Sequence, residues 1–134
     1  ILGSILDPIA DKILLTFLIL SFSLQMESAY IAFAGGIILI REFWVAALRD
    51  INSRNNNTEA TKVSPLAKAK TFMQFITFAI YLMGLYLGNE ILLFIGNFVL
   101  FAALIITLKT GLEYTVNTLN IFNRLFPINN KYTI

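Results

Sequence analysis

Neither cysteine nor histidine occurs anywhere in the 134 residues. The first absence excludes disulfides, thiolate metal centres and cysteine nucleophiles. The second excludes imidazole-based triads and zinc–histidine sites. Acid–base chemistry is left to Asp, Glu, Lys, Tyr or a substrate's own groups. Charge is scarce too: Asp, Glu, Lys and Arg make up 13% of the chain, about half the share usual in soluble domains. The net charge of +2 is too small to imply nucleic acid. No signal peptide is visible, because the N-terminal stretch has neither a basic n-region nor a small-residue cleavage site.

What remains is apolar. Hydrophobic residues make up 57% of the chain and the mean hydropathy is +0.76, which predicts an all-α polytopic transmembrane bundle without a soluble domain. Four apolar segments are expected as helices, at about 2–24, 29–48, 65–87 and 91–108. The turn around Glu27 joins the first pair and Gly88-Asn89-Glu90 the second. The polar stretch 49–64 is expected as a loop, and Ser64-Pro65 reads as N-cap and first residue of the third helix. Residues 109–134 form the tail, in which the last helix continues as an amphipathic stretch towards Phe126 and Pro127 stops it. Neither short turn contains Lys or Arg. Lys12, Arg49, Arg54, Lys62, Lys68, Lys70, Lys109, Arg124 and Lys131 all fall on the opposite side, which the positive-inside rule makes cytoplasmic.

The chemistry concentrates at that side. Asp7 and Asp11 are four residues apart in Gly3-Ser-Ile-Leu-Asp7-Pro-Ile-Ala-Asp11-Lys12, and on a helix that spacing puts both on one face, roughly 6 Å apart at Cβ. Like charges so close call for a cation between them. A divalent metal on oxygen ligands, with room left for phosphate oxygens, meets the need. The plainer alternative makes Asp7 an N-cap with Pro8 as first helical residue. A span from Pro8 to Met26 would be only roughly 28 Å and would draw Asp11 and Lys12 into a hydrocarbon core of about 30 Å.

Short turns make neighbouring helices antiparallel, so Asp7 and Asp11 share a membrane depth with Arg41, Glu42 and Arg49 and with Lys68, Lys70 and Thr71. Carboxylates beside such a cationic group suggest a metal with one phosphate and Arg or Lys with a second. Two readings stand for Lys68, Lys70 and Arg49: anion ligands, or positive-inside anchors at lipid headgroups. Arg41 lies two turns deeper than Arg49 and needs an internal partner or a substrate anion; Glu42 also reads as its counter-ion. Glu113, Lys109 and the aromatic residues near helix ends read as interface and packing groups.

Gly3-x3-Asp7-x3-Asp11 resembles the second half of the CDP-alcohol phosphotransferase signature, D-x2-D-G-x2-A-R-x8-G-x3-D-x3-D. Leu6–Lys12, Arg41-Glu42-Phe43 with Ala47-Leu48-Arg49, and Lys68-Ala69-Lys70-Thr71 further resemble the bacterial branch of that family that transfers a phosphatidyl group from CDP-diacylglycerol to sn-glycerol 3-phosphate. The resemblance implies the last four helices of a six-helix homodimeric enzyme, with its active site at the cytoplasmic surface of the inner membrane. It implies that Asp7 is a metal ligand, that Asp11 is a metal ligand and the general base, and that the metal is Mg²⁺ or Mn²⁺. It implies that Gly3 permits close approach near the nucleotide, and that Arg41, Arg49, Lys68 and Lys70 bind the glycerol phosphate.

The first half of the signature is missing. Ile1 is not a usual start, so an N-terminal part carrying two more metal ligands is expected upstream, and the chain alone is expected to be inactive. Other readings are a different acceptor (inositol phosphate, serine or phosphatidylglycerol), a non-catalytic or cation-translocating bundle, and a gene remnant.

Overall fold

The computed structural model describes residues 2–55 and 65–125, and these form four helices: α1 (Leu2–Gln25), α2 (Ala29–Arg54), α3 (Pro65–Leu87) and α4 (Glu90–Leu125). α2 packs on both α1 and α4, and α4 also packs on α3. α1 closes the ring against α3 through Phe22, which stacks on Phe78 at 5.7 Å and meets Tyr81 at 5.4 Å between ring centroids.

The two short turns use one device. In each, the chain reverses through a residue in the left-handed region, and the next N–H reaches back five residues to a helical carbonyl. Ser28 N donates to Ser23 O at 3.0 Å after Glu27 at φ 46°. Asn89 N donates to Gly84 O at 3.0 Å after Gly88 at φ 64°. The following side chain then caps the next helix: Ser28 Oγ accepts from Ile31 N and Asn89 Oδ1 from Ile91 N. These tight reversals make α1 antiparallel to α2 and α3 antiparallel to α4, so the opposite helix ends gather at one end of the bundle.

The core is apolar and sits towards the turn end. Ile19, Phe22, Ile31, Ala34, Ile38, Phe78, Tyr81 and Leu100 are buried together. Gly35 lets α1 approach α2 closely, because a Cβ there would collide with the Ile19 side chain. The outer surface is apolar as well: Leu24, Phe33 and Tyr86 are 76%, 75% and 89% exposed. Such a surface suits lipid, where side chains gain nothing by turning inward. By length and composition α2, α3 from Lys68 and α4 could each cross a membrane; α1 carries Asp7, Asp11 and Lys12 in its first half.

α2 runs further than the sequence pattern predicts, and α4 continues through the amphipathic stretch expected after Lys109. Residues 49–54, expected as the start of a loop, continue α2, and residues 109–125, expected in the tail, continue α4 without a break. Each extension holds the other. Asn52 Nδ2 donates to Thr118 Oγ1 at 3.1 Å in a buried bond, and Asp50 and Arg54 add an exposed i,i+4 ion pair at 3.1 Å. A polar composition looked like a loop because its tertiary partner lies far along the chain. Residues 56–64, with Lys62 and the Ser64 cap, and residues 126–134, with Pro127, lie outside the described residues.

Candidate active site

At the end opposite the turns, α1, α2 and α3 border a cleft of about 450 Å³. α1 contributes Asp7, Asp11 and Lys12 over a floor of Leu14, Leu15 and Leu18; α2 contributes Glu42 and Arg49; α3 contributes Lys68, Lys70, Thr71 and Gln74, with Phe75 and Phe78 below. Asp7 and Asp11 are exposed on successive turns of one helix. Among the described residues neither forms an ion pair, so their charge is open to whatever enters the cleft. Their oxygens suit a hard divalent cation. The described residues hold no group of three or more acidic, His or Cys side chains able to bind a metal, so this pair alone would supply only part of a coordination sphere.

The cations differ in how they are held. Lys70 is buried and ion-paired with Glu42 Oε1, and the same oxygen accepts from Arg41 Nη1 at 3.0 Å. Glu42 therefore bridges α2 to α3 and gives two buried cations a shared counter-ion, which buried charges require, and the group keeps a net positive charge. Arg49 and Lys68 are exposed and form no ion pair with a described residue. Lys12 has its ammonium 5.9 Å from the centre of the Phe43 ring.

Arg41 stands apart from the other cations expected to bind phosphate. It does not line the cleft. Its side chain crosses to α4, where Nε donates to Thr107 O at 3.1 Å and Nη2 to Thr110 Oγ1 at 2.9 Å. Gly111 makes room for that crossing: a Cβ there would stand 3.0 Å from Arg41 Cγ. Of the two needs weighed from the sequence, an internal partner is the one met here. A Cβ at Gly3 would meet nothing within 4 Å, so the start of α1 is open.

Sequence reasoning placed Thr71 at this depth but did not expect Lys12 and Gln74 as site residues, nor the bridge from Glu42 to Lys70. Thr107, Thr110 and Thr118 recur at helical spacing and so mark the face of α4 that meets α2. That pattern was available in the sequence; what it fastens was not.

The model of the CDP-alcohol phosphatidyltransferase family matches residues 1–109. A Rickettsia bellii protein named CDP-diacylglycerol–glycerol-3-phosphate 3-phosphatidyltransferase is 35% identical over 113 residues, 84% of this chain and 60% of its own length. The protein of that name from Blochmanniella floridana is 30% identical over 120 residues, 90% of this chain and 62% of its own length. One from Shigella flexneri serotype 5b is 27% identical over 112 residues, 84% and 60%. This chain thus spans about 60% of the length of the curated relatives it matches. No solved structure matches it. Matched by the family model over most of its length, with the aspartate pair facing cations across one cleft, the chain belongs to the CDP-alcohol phosphatidyltransferase family.

Proposed function

We propose that the full-length protein is a phosphatidylglycerophosphate synthase, which transfers the phosphatidyl group of CDP-diacylglycerol to sn-glycerol 3-phosphate and releases CMP. The observation that carries this reading is the cleft itself: Asp7 and Asp11 on α1 stand across from Arg49, Lys68 and Lys70, so one space offers carboxylates for a metal and cations for a phosphate. A free alcohol would need no such cations, and the names of the relatives point to the same acceptor.

Divalent-metal dependence is general in this family, and Asp7 and Asp11 are the residues that would hold Mg²⁺ or Mn²⁺, completed by ligands beyond this pair. When bound there, such a cation neutralises the diphosphate and the departing CMP. Asp11 takes the proton of the acceptor's 1-hydroxyl, the oxygen attacks the β-phosphorus, and the bond from that phosphorus to the oxygen leaving with CMP breaks. Arg49 and Lys68 bind the acceptor phosphate at the exposed rim; Lys70, held by Glu42, adds positive potential deeper in the cleft. Arg41 acts on this site through Glu42. Gly3 leaves space for the nucleotide at the start of α1.

α2, α3 and α4 span the inner membrane, α1 makes a fourth span, and the cleft lies at the cytoplasmic surface, where both substrates are available. A homodimer is the expected assembly. The test is CMP release in detergent–lipid micelles with CDP-diacylglycerol, Mg²⁺ and one acceptor at a time. Turnover is expected with glycerol 3-phosphate and not with serine, inositol phosphate or phosphatidylglycerol. Preference for another acceptor would refute the assignment within the family, and ion flux without CMP release would refute the enzymatic reading.

A further inference from the structure

Arg49 borders the cleft, is exposed, and forms neither an ion pair nor a hydrogen bond with any described residue. Its partner is an aromatic ring: the guanidinium carbon lies 5.9 Å from the centroid of Tyr114 on α4. That is within the range at which a guanidinium is attracted to a ring face. Lys70 is fixed by Glu42, so two of the cleft's cations are held differently, the deeper one by a carboxylate and Arg49 at the rim by a ring. The difference matters for an anion site. A carboxylate partner competes with an incoming phosphate for the cation's N–H donors, whereas a ring leaves all five donors of the arginine free and still limits its rotamers.

Tyr114 is well placed to do this because the helix beneath it is fastened to α2. Arg41 Nη2 donates to Thr110 one turn before it at 2.9 Å, Trp44 Nε1 donates to Thr115 beside it at 2.8 Å, and Asn52 Nδ2 donates to Thr118 one turn after it at 3.1 Å. α2 and α4 cannot slide past each other without breaking these bonds, so the ring is held where Arg49 leaves α2. The Tyr114 hydroxyl is buried with no hydrogen-bond partner among the described residues. The ring face, and not the O–H, is what this position supplies.

We propose that Tyr114 is a positioning residue: its ring holds the Arg49 guanidinium over the cleft, with its donors free for the phosphate of the acceptor. It lies beyond residues 1–109, which match the family model, and it rests on the glycerol 3-phosphate reading above. An arginine so held loses less freedom when the phosphate binds, which appears as acceptor affinity and not as chemistry.

The test uses the full-length protein in micelles, with CDP-diacylglycerol saturating and glycerol 3-phosphate varied. Tyr114→Leu is expected to raise the acceptor KM about two- to fivefold, the span of an exposed cation–ring contact, with kcat and the KM for CDP-diacylglycerol unchanged. Tyr114→Phe keeps the ring and is expected to match the wild type. In an Arg49→Ala background, which itself raises the acceptor KM further, Tyr114→Leu is expected to add nothing. Folding is checked by size-exclusion profile and by tryptophan emission, to which Trp44, the one tryptophan of these 134 residues, contributes from its bond to Thr115 beside Tyr114. Should Tyr114→Leu misfold, Tyr114→Met keeps apolar bulk without a ring and must show the same KM rise. An unshifted acceptor KM in the folded Leu or Met variant, a fall in kcat alone, or a Phe variant as impaired as Leu would each overturn the proposal while leaving the function intact. No CMP release by the wild type would overturn the functional reading and this inference with it.

Discussion

The two ends of the bundle solve opposite problems with the same four helices. At the turn end every strong interaction is internal. Phe22, Phe78 and Tyr81 pack together, Tyr81 O–H donates to Asn97 Oδ1 at 2.7 Å, and Tyr30 O–H donates to Asn97 O at 3.0 Å. At the cleft end Asp7, Asp11, Arg49 and Lys68 have no ion-pair partner among the described residues, while Glu42 pairs with Arg41 and Lys70, and Asp50 with Arg54. Charges left open beside an apolar interior are costly to keep, and such residues mark a site that something charged completes. The difference separates residues that make the fold from residues whose charge the described fold leaves unpaired.

That separation can be broken, and the largest effect should come from the open end. Asp11→Asn in the full-length protein is expected to lower the rate of CMP release by about a hundredfold or more, the scale of a lost general base. The midpoint of its thermal unfolding in detergent should stay close to that of the wild type. An unchanged rate in this variant would remove Asp11 as the base. With only two carboxylates on α1 for a metal, the 134-residue chain alone is expected to release no CMP; turnover by it would show that this pair suffices.

Glu42→Gln probes the internal part of the same end. It leaves Arg41 and Lys70 buried without a counter-charge, and the expected loss of stability is about 3 kcal/mol. A matching fall in denaturation midpoint would mark Glu42 as structural first; lost activity at unchanged stability would make it a ligand-binding group instead. At the turn end the effects should be smaller and spare the chemistry. Gly35→Val drives a side chain into Ile19 and is expected to cost about 1–3 kcal/mol by overpacking, with an unchanged acceptor KM in whatever protein folds. The smallest change is a gain. Glu27 has φ 46° where the equivalent turn uses Gly88, so Glu27→Gly is expected to stabilise by about 1 kcal/mol, the strain of a non-glycine residue in that region. A lower midpoint would show that the Glu27 side chain contributes more than its backbone costs.

How much of this was legible beforehand depends on where each residue's partners lie. The helices of the bundle follow from long apolar runs and from Pro65 and Gly88, which act locally. The aspartate pair was legible because its geometry is a property of one helix. The C-terminal part of α2 was not, because Asn52 looks like a loop residue until it meets Thr118 on α4. Arg41 shows the limit most clearly. Its depth announced a need for a partner, but whether that partner was a substrate or Thr107 and Thr110 depended on which helix came alongside.

The sequence by itself determined a helical chain built for a membrane, the side on which its charges gather, and the acid pair at the head of its first helix. Composition and helical period act over a few residues and need no fold to be expressed. Only the tertiary structure decided which cations share the cleft with those acids, which one is turned away to brace α4, and which is left open beside a ring. A side chain's direction is set by the helix packed against it, and here those contacts join residues more than sixty positions apart in the chain.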